Sequence, residues 1–496
     1  MDDTYRPVVR FAGRGFSARP LRRWGKPCPT VVEQDDYMVF DETPYSSYDN
    51  SEQKAQKAFE LYEDGKISQA IAELNDALEI NPASSTLHFN KALALDSLSK
   101  FEEAVAEYES ALAMNPCDLE ILNSLAVDYT RLGQYDLAIS TFEKVQELDS
   151  NFEPSYCNRI ITYTEMGLHE QAEQMFYLAQ QINPDCALCY YNIGNSLFAR
   201  GEYKKAIRCW MKTAEIEPSH PQINYHIAQA LWAENEIERS RQHFLRELRQ
   251  NAGDMDVIID FGLFLIERGD IESAKEKFHR ALELRPNMAI ALFYLGEIAL
   301  NSNDHKKAAD LFNRAMERES GLPGPRYRLA QLALARGNTE DAKTYLASEM
   351  KFAGDDADVL VSMASMFLAI FADRRFSSPD ALDYTINCLL RALDIDSRNA
   401  DAYYYMGLAN AMNGRLEDAA EFFNQALDIN PQHVLAIRDS ATVNLSMHRL
   451  ADATAVIERG VKFVGDHQEL KMIRRKIRRS QIARQLADLF GHRKHR

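Results

Sequence analysis

At 496 residues the chain exceeds one ordinary globular core, and a net charge of −17 with 26% charged residues describes a polar, water-facing protein. No apolar run approaches the roughly 18–20 residues of a membrane span, and the first thirty residues lack the apolar stretch of a secretory signal. Seven cysteines, odd in number and unevenly spaced, argue against a disulfide framework and point to a reduced, cytoplasmic compartment. The charge is uneven. Residues 1–30 hold seven Lys/Arg against two acids (+5), and 466–496 hold ten against three (+7), which leaves −29 between them. An acidic body with basic ends favours basic partners on the body.

Residues 1–50 mix Arg, Gly and Pro with isolated aromatics and then turn acidic through Glu33, Asp35, Asp36, Asp41 and Glu42. Such a segment buries too little surface to offset its ordering entropy, which predicts a disordered tail. Two alternatives are a docking motif and a weak nucleic-acid contact through arginines beside Phe11, Phe16 and Trp24. Gly13-Arg14-Gly15 has neither a preceding strand nor a third glycine, so it is no phosphate loop.

From residue 51 the chain repeats. Steps of 34 residues back from Ala206 reach Ala172, Ala138, Ala104 and Ala70, and steps forward reach Ser240, Ala274, Ala308 and Ala342. The period then slips by nine and resumes at Ala419 and Ala453. Prolines recur in the same register at Pro82, Pro116, Pro184, Pro218, Pro286 and Pro431, and glycines at Gly65, Gly133, Gly167, Gly201, Gly269, Gly337 and Gly414. In the clearest copy, 187–220, Tyr190, Leu197, Tyr203 and Trp210 lie at helical spacing, while Gly194 and Ala206 mark a close helix–helix approach.

These tracks resemble the tetratricopeptide repeat (TPR) family over roughly residues 51–467, with twelve repeats. The resemblance implies an all-α superhelical solenoid of helix–turn–helix units. Repeats one to five (51–84, 85–118, 119–152, 153–186, 187–220) are regular. Repeat six (221–254) is degenerate, with Ser240 for alanine and Glu247 where others place Ala77, Ala111 and Ala179. Repeats seven and eight (255–288, 289–322) recover, with Gly262 and Gly296 at the close-contact position. Repeat nine (323–356) opens on Pro323-Gly324-Pro325, which suits a bend entering a helix. The long repeat ten (357–399) carries an intervening segment at 370–380, read either as longer helices or as a loop, with Ser378 a helix cap before Pro379. Repeats eleven and twelve (400–433, 434–467) resume the pattern. The segment 468–490 carries an apolar stripe of Leu470, Ile473, Ile477, Ile482, Leu486 and Leu489 among basic residues, and predicts a capping helix ahead of a basic tail at 491–496. A basic amphipathic helix could also meet RNA, anionic membrane or an acidic partner.

No HExxH, P-loop or GxSxG motif is present, so no catalytic residues, cofactor or small-molecule substrate are assigned. Cys186-x-x-Cys189 would need two further ligands for zinc, with Cys157 and Cys209 near enough in sequence to be considered. Cysteines at such helix positions ordinarily pack as small apolar residues, and no metal site is assigned.

In TPR proteins, the first-helix positions facing away from the second helix line a groove. Asn90, Asn158, Asn192 and His226 stand at the sixth position, and Asn195 and Gln229 at the ninth. Amide side chains can bond an extended peptide's backbone whatever its sequence. The row is similar to the asparagine ladder in the TPR arm of the O-linked N-acetylglucosamine transferase, though Ser124, Asp260, Tyr294 and Arg328 interrupt it. Phe89, Tyr191, Tyr225, Phe293, Tyr327 and Tyr404 occupy the fifth position, as exposed anchors or as packing against the next repeat. The Lys/Arg clamp of chaperone-binding TPR proteins is not matched at these positions. The resulting expectation is a non-catalytic scaffold or adaptor that takes an extended or basic polypeptide at Asn90, Asn158, Tyr191, Asn192, Asn195, Tyr225, His226 and Gln229. The alternatives are a nucleic-acid-associated factor using its basic ends and an accessory subunit of an enzyme on another chain. Self-association, with the basic tail in an acidic groove, is a further variant.

Overall fold

A computed structural model describes residues 50–352, 354, 356–373, 378–465 and 467–491, with side chains as far as 482. The expected tail at 1–50 lies outside the described residues but for its last, as does the basic tail at 492–496. Twenty-five α-helices and no strand are found among the described residues. Contacts divide the chain into two compact units, one ending at Val257 and one running on from Ile258.

In the first unit α1 (Asn50–Glu63) pairs with α2 (Ile67–Ile80), α3 (Ser85–Ser97) with α4 (Phe101–Met114), and α5 (Leu119–Arg131) with α6 (Tyr135–Leu148). The pairing continues with α7 (Glu153–Glu165) and α8 (His169–Ile182), α9 (Ala187–Ala199) and α10 (Tyr203–Ile216), and α11 (Ile223–Ala233) and α12 (Ile237–Gln250). The division falls inside α13 (Met255–Glu267), which α14 (Ile271–Leu284) follows. In the second unit α15 (Ala289–Asn301) pairs with α16 (His305–Arg318), and α17 (Pro325–Ala335) with α18 (Thr339–Glu349). The remaining pairs are α19 (Ala357–Ala372) and α20 (Asp380–Ile395), α21 (Ala400–Met412) and α22 (Leu416–Ile429), and α23 (Val434–Ser446) and α24 (Leu450–Val464). A last helix, α25 (Gln468–Gly491), packs on α23 and α24.

Each hairpin closes through small residues. A Cβ added to Gly194 would lie 2.5 Å from Trp210 Nε1, and one on Gly296 would lie 2.6 Å from the Phe312 ring. The second-helix alanines Ala70, Ala104, Ala138, Ala172 and Ala206 are wholly buried beneath such contacts. The turn inside a hairpin needs one left-handed residue so that the next N–H can reach back and end the first helix. Gly133 (φ 72°) supplies it, and Gln134 N–H bonds Tyr129 O at 2.8 Å. Where glycine is missing the backbone is the same: Ser99 takes φ 58°, and Lys100 N–H bonds Leu95 O at 3.0 Å.

The irregular repeats have local causes. In repeat six Gln222 adopts φ 57° after Pro221, and α11 starts two residues late with no capping bond from the Gln222 side chain. The buried carboxylate of Glu247 accepts the Tyr225 N–H at 3.3 Å, so the residue that breaks the alanine pattern serves as a remote cap. Repeat nine repeats the device: α17 starts late at Pro325, and the buried Glu349 accepts the Gly324 N–H. Burial raises the pKa of both carboxylates, against the pull of those N–H bonds. Repeat ten extends both helices to 16 residues and also lengthens their connection, of which 374–377 lie outside the described residues. Ser378 does not cap α20 through its hydroxyl, which donates to Asp380 Oδ1 at 2.8 Å, while its carbonyl accepts the Ala381 N–H. On α25, Leu470, Ile473 and Ile477 are buried against α23 and α24, but Ile482 is exposed and does not continue the stripe.

Candidate functional site

The first helices of repeats four to six, α7, α9 and α11, carry most of the residues expected to line a groove. Two of their amides bond to the first helix of the preceding repeat. Asn158 Nδ2 donates to Asn123 Oδ1 at 3.2 Å, and Asn192 Nδ2 donates to the Cys157 carbonyl at 3.1 Å, each reaching one repeat back. Asn90, Asn158 and Asn192 are buried, and the bonds of Asn158 and Asn192 each tie a repeat to the one before it. The six aromatics Phe89, Tyr191, Tyr225, Phe293, Tyr327 and Tyr404 are likewise buried, which removes the exposed-anchor reading and leaves packing. An amide or ring on a helix flanked by two others meets protein before it meets solvent, and burial stabilises the ring's apolar body.

Tyr191 is the hub of this packing. Its hydroxyl and His226 Nε2 are 3.0 Å apart, its ring lies 4.5 Å from that of His220, and its carbonyl accepts the Trp210 indole N–H at 3.2 Å. Burial first, and then the neighbouring His220, push the His226 pKa down to about 4, so the ring is neutral at physiological pH. Asn195 and Gln229, at the ninth position of α9 and α11, remain partly exposed, as does His226. Among the described residues three buried polar atoms here have no hydrogen-bond partner: Asn158 Oδ1, Asn195 Oδ1 and His226 Nδ1. Of the eight expected residues, seven gather on α7, α9 and α11, and Asn90 stands apart on α3.

The cysteines form a second cluster that spacing alone did not reveal. Cys157 and Cys189 are joined by a disulfide, with their Cα atoms 5.1 Å apart, which corrects the reading of these residues as simple packing. Cys186 Sγ lies 3.5 Å from Cys157 Sγ, and Glu153 Oε1 is 2.8 Å from Cys157 Sγ and 3.2 Å from Cys189 Sγ. Burial raises the Glu153 carboxyl and pushes the Cys186 thiol up to about 12. The fourth member is Glu153, one turn before Cys157 on α7, and not Cys209, which lies outside the cluster. The available signal was the Glu153-x-x-x-Cys157 spacing, which puts both side chains on one helix face.

No helix among the described residues is long and apolar enough to cross a membrane. No curated protein matches the chain. Among solved structures, a tetratricopeptide repeat protein from Parabacteroides merdae is 18% identical, covering 47% of this chain and 93% of that one at a TM-score of 0.40. Yeast Tom70 is 14% identical over 88% of this chain and 96% of that one, at a TM-score of 0.36. Cut9-Hcn1, a hetero-tetramer of the APC/C, is 13% identical over 87% and 96%, at 0.39. Family models described as tetratricopeptide repeat match residues 187–220, 259–323, 299–360 and 400–433. Models of YpiA-like C-terminal tetratricopeptide repeats and of the Psidin N-terminal TPR region match 221–287 and 52–183. With its helix pairs, left-handed turns and glycine–ring contacts set at the same step, the chain belongs to the tetratricopeptide repeat family.

Proposed function

We propose that this chain is a non-catalytic scaffold that binds an extended, basic segment of a partner protein along α9 and α11. A helical repeat array of this family is consistent with protein–protein interaction. The observation that supports the finer reading is the pair of amides Asn195 and Gln229, one repeat apart at the same position and both partly exposed. Amide N–H groups so placed can donate to a peptide backbone, and the −29 carried between the basic ends selects cationic segments. The odd, unevenly spaced cysteines favour a cytoplasmic compartment, and the Cys157–Cys189 disulfide weighs against it. A second reading, contact with nucleic acid, rests on the exposed Lys471, Arg474, Arg475, Lys476, Arg478 and Arg479 of α25.

The test is affinity capture from native lysate with three baits: the intact chain, the Asn195→Ala/Gln229→Ala variant, and a chain without residues 1–50 and 491–496. Loss of two neutral hydrogen bonds of about 0.5–1.5 kcal/mol each is expected to cut recovery of the partner about tenfold. A partner that ignores the double substitution but is lost with the trimmed bait overturns the proposal. Loss of capture on nuclease treatment moves the assignment to nucleic acid.

A further inference from the structure

Glu153 and Cys157 lie one turn apart at the start of α7, and Cys186 and Cys189 form the N-cap and first turn of α9. One donor atom from each of the four lies within 4.8 Å of all the others. We propose that, once the Cys157–Cys189 bond is reduced, these four side chains bind one zinc ion that ties repeat four to repeat five.

The geometry is close to what the ion needs. Zinc–sulfur bonds of about 2.3 Å at tetrahedral angles set neighbouring sulfurs about 3.8 Å apart. Cys157 and Cys186 already stand at 3.5 Å, and the Glu153 oxygen is within 3.2 Å of both disulfide sulfurs. The Cys157–Cys189 pair must open and the Glu153 oxygen must draw back slightly from both sulfurs, which side-chain rotation allows. Three sulfurs and one carboxylate are a borderline-soft set that suits zinc and not calcium or magnesium. Cys157 and Cys189 are buried, whereas Glu153 and Cys186 are half-buried, so the ion has an entrance and a shielded seat. The Cys189 backbone N–H already points at Cys186 Sγ from 3.3 Å, the outer-shell bond that orients a thiolate ligand. The positive ends of α7 and α9 offset the excess negative charge of the loaded site.

Glu153 supplies an independent sign. A sulfur in a disulfide has no proton to give, so its contacts with Cys157 and Cys189 are not hydrogen bonds. No basic side chain pairs with it among the described residues; its hydrogen-bond donor is the Cys186 thiol, so a half-buried carboxylate faces three sulfurs with no positive charge beside it. A cation completes that arrangement. Loading is balanced as follows: a phosphine attacks one sulfur, takes the oxygen of a water to become phosphine oxide, and the two hydrogens of that water end on the Cys157 and Cys189 sulfurs. Zinc then displaces the three thiol protons to solvent.

The full chain, phosphine-reduced and freed of metal with a chelator, is titrated with zinc against a metallochromic indicator. One equivalent is expected, with cobalt in its place giving the charge-transfer absorption of thiolate coordination. Cys186→Ser is expected to weaken zinc binding at least about a hundredfold and Glu153→Gln about tenfold, the range over which even outer-shell losses act. Serine caps helices well, so α9 keeps its start in the Cys186→Ser chain. Independently of any variant, zinc should slow alkylation of Cys157, Cys186 and Cys189 about tenfold or more while leaving the exposed Cys117 unprotected. Absence of stoichiometric zinc in the reduced chain, undiminished binding by Cys186→Ser, or equal alkylation with and without zinc each overturns the proposal.

Discussion

Replacing Trp210 with alanine is expected to destabilise the first unit by about 3–5 kcal/mol, the range for a large aromatic removed from a tight core. Trp210 is wholly buried, its indole N–H is bonded to the Tyr191 carbonyl, and its ring lies 5.6 Å from that of Phe198 and 5.3 Å from that of His226. The facing residue is Gly194, which has no side chain to move into the space, so the cavity persists. In an array whose units touch only their neighbours the damage stays local. Hydrogen exchange should therefore quicken in α9, α10 and α11 while α1 to α4 keep their protection, and urea unfolding should begin earlier. Uniform loss of protection from α1 to α12 would contradict this local account.

Arg131→Met is expected to cost about 3–5 kcal/mol at neutral pH, because it removes the cation shared by the Asp96 and Asp128 carboxyl groups. The Arg131 guanidinium pairs with both Asp96 and Asp128 and lies over the Phe101 ring at 5.2 Å. Asp128 is buried, and one of its oxygens has no hydrogen-bond partner. Burial first, and then the Asp96 charge, raise the Asp128 pKa far above the usual carboxylate range, with Arg131 pulling the other way. The folded state thus holds a proton that the unfolded state has given up, so this group's contribution is full at low pH and falls as pH rises through the folded value. Removing Arg131 raises that value further. The deficit of the variant, read from urea midpoints, should be larger at pH 8 than at pH 5, and adding Asp128→Asn should recover part of it. Equal deficits at the two pH values would show that Asp128 does not titrate in this range.

Much of the helix order is written in single-residue tracks, because one small residue per helix decides how closely two helices approach. Gly194 against Trp210 and Gly296 against Phe312 can be anticipated from spacing alone. The glycine track looks broken at Ser99, Asn235, Asn303 and His448, yet all four adopt the same left-handed turn, which polar side chains tolerate at modest cost. Glu247 and Glu349 look like defects because their partners, late-starting helices behind Pro221 and Pro325, lie more than twenty residues upstream. The candidate groove was the least legible part. Sequence gives the face of a helix but not how far its neighbours overhang that face, so Asn158, Asn192, Tyr191 and Tyr225 were expected at a surface and are enclosed. Cys157 and Cys189 lie 32 residues apart, close to one repeat, so the period itself stacks them. Glu153 entered the cluster only with the side-chain geometry.

The closing helix α25 holds its buried stripe, Leu470, Ile473 and Ile477, on one side and six exposed cations between Lys471 and Arg479 on the other. Cations this close repel one another over distances comparable with the Debye length of about 10 Å at 0.1 M ionic strength. That repulsion strains α25 along its own length, while apolar contact, the Arg438–Glu469 ion pair and the Gln481–Thr454 hydrogen bond hold it on α23 and α24. Counterions, or a polyanion lying along the exposed side, would relieve the strain and so firm up the helix without touching its docked face.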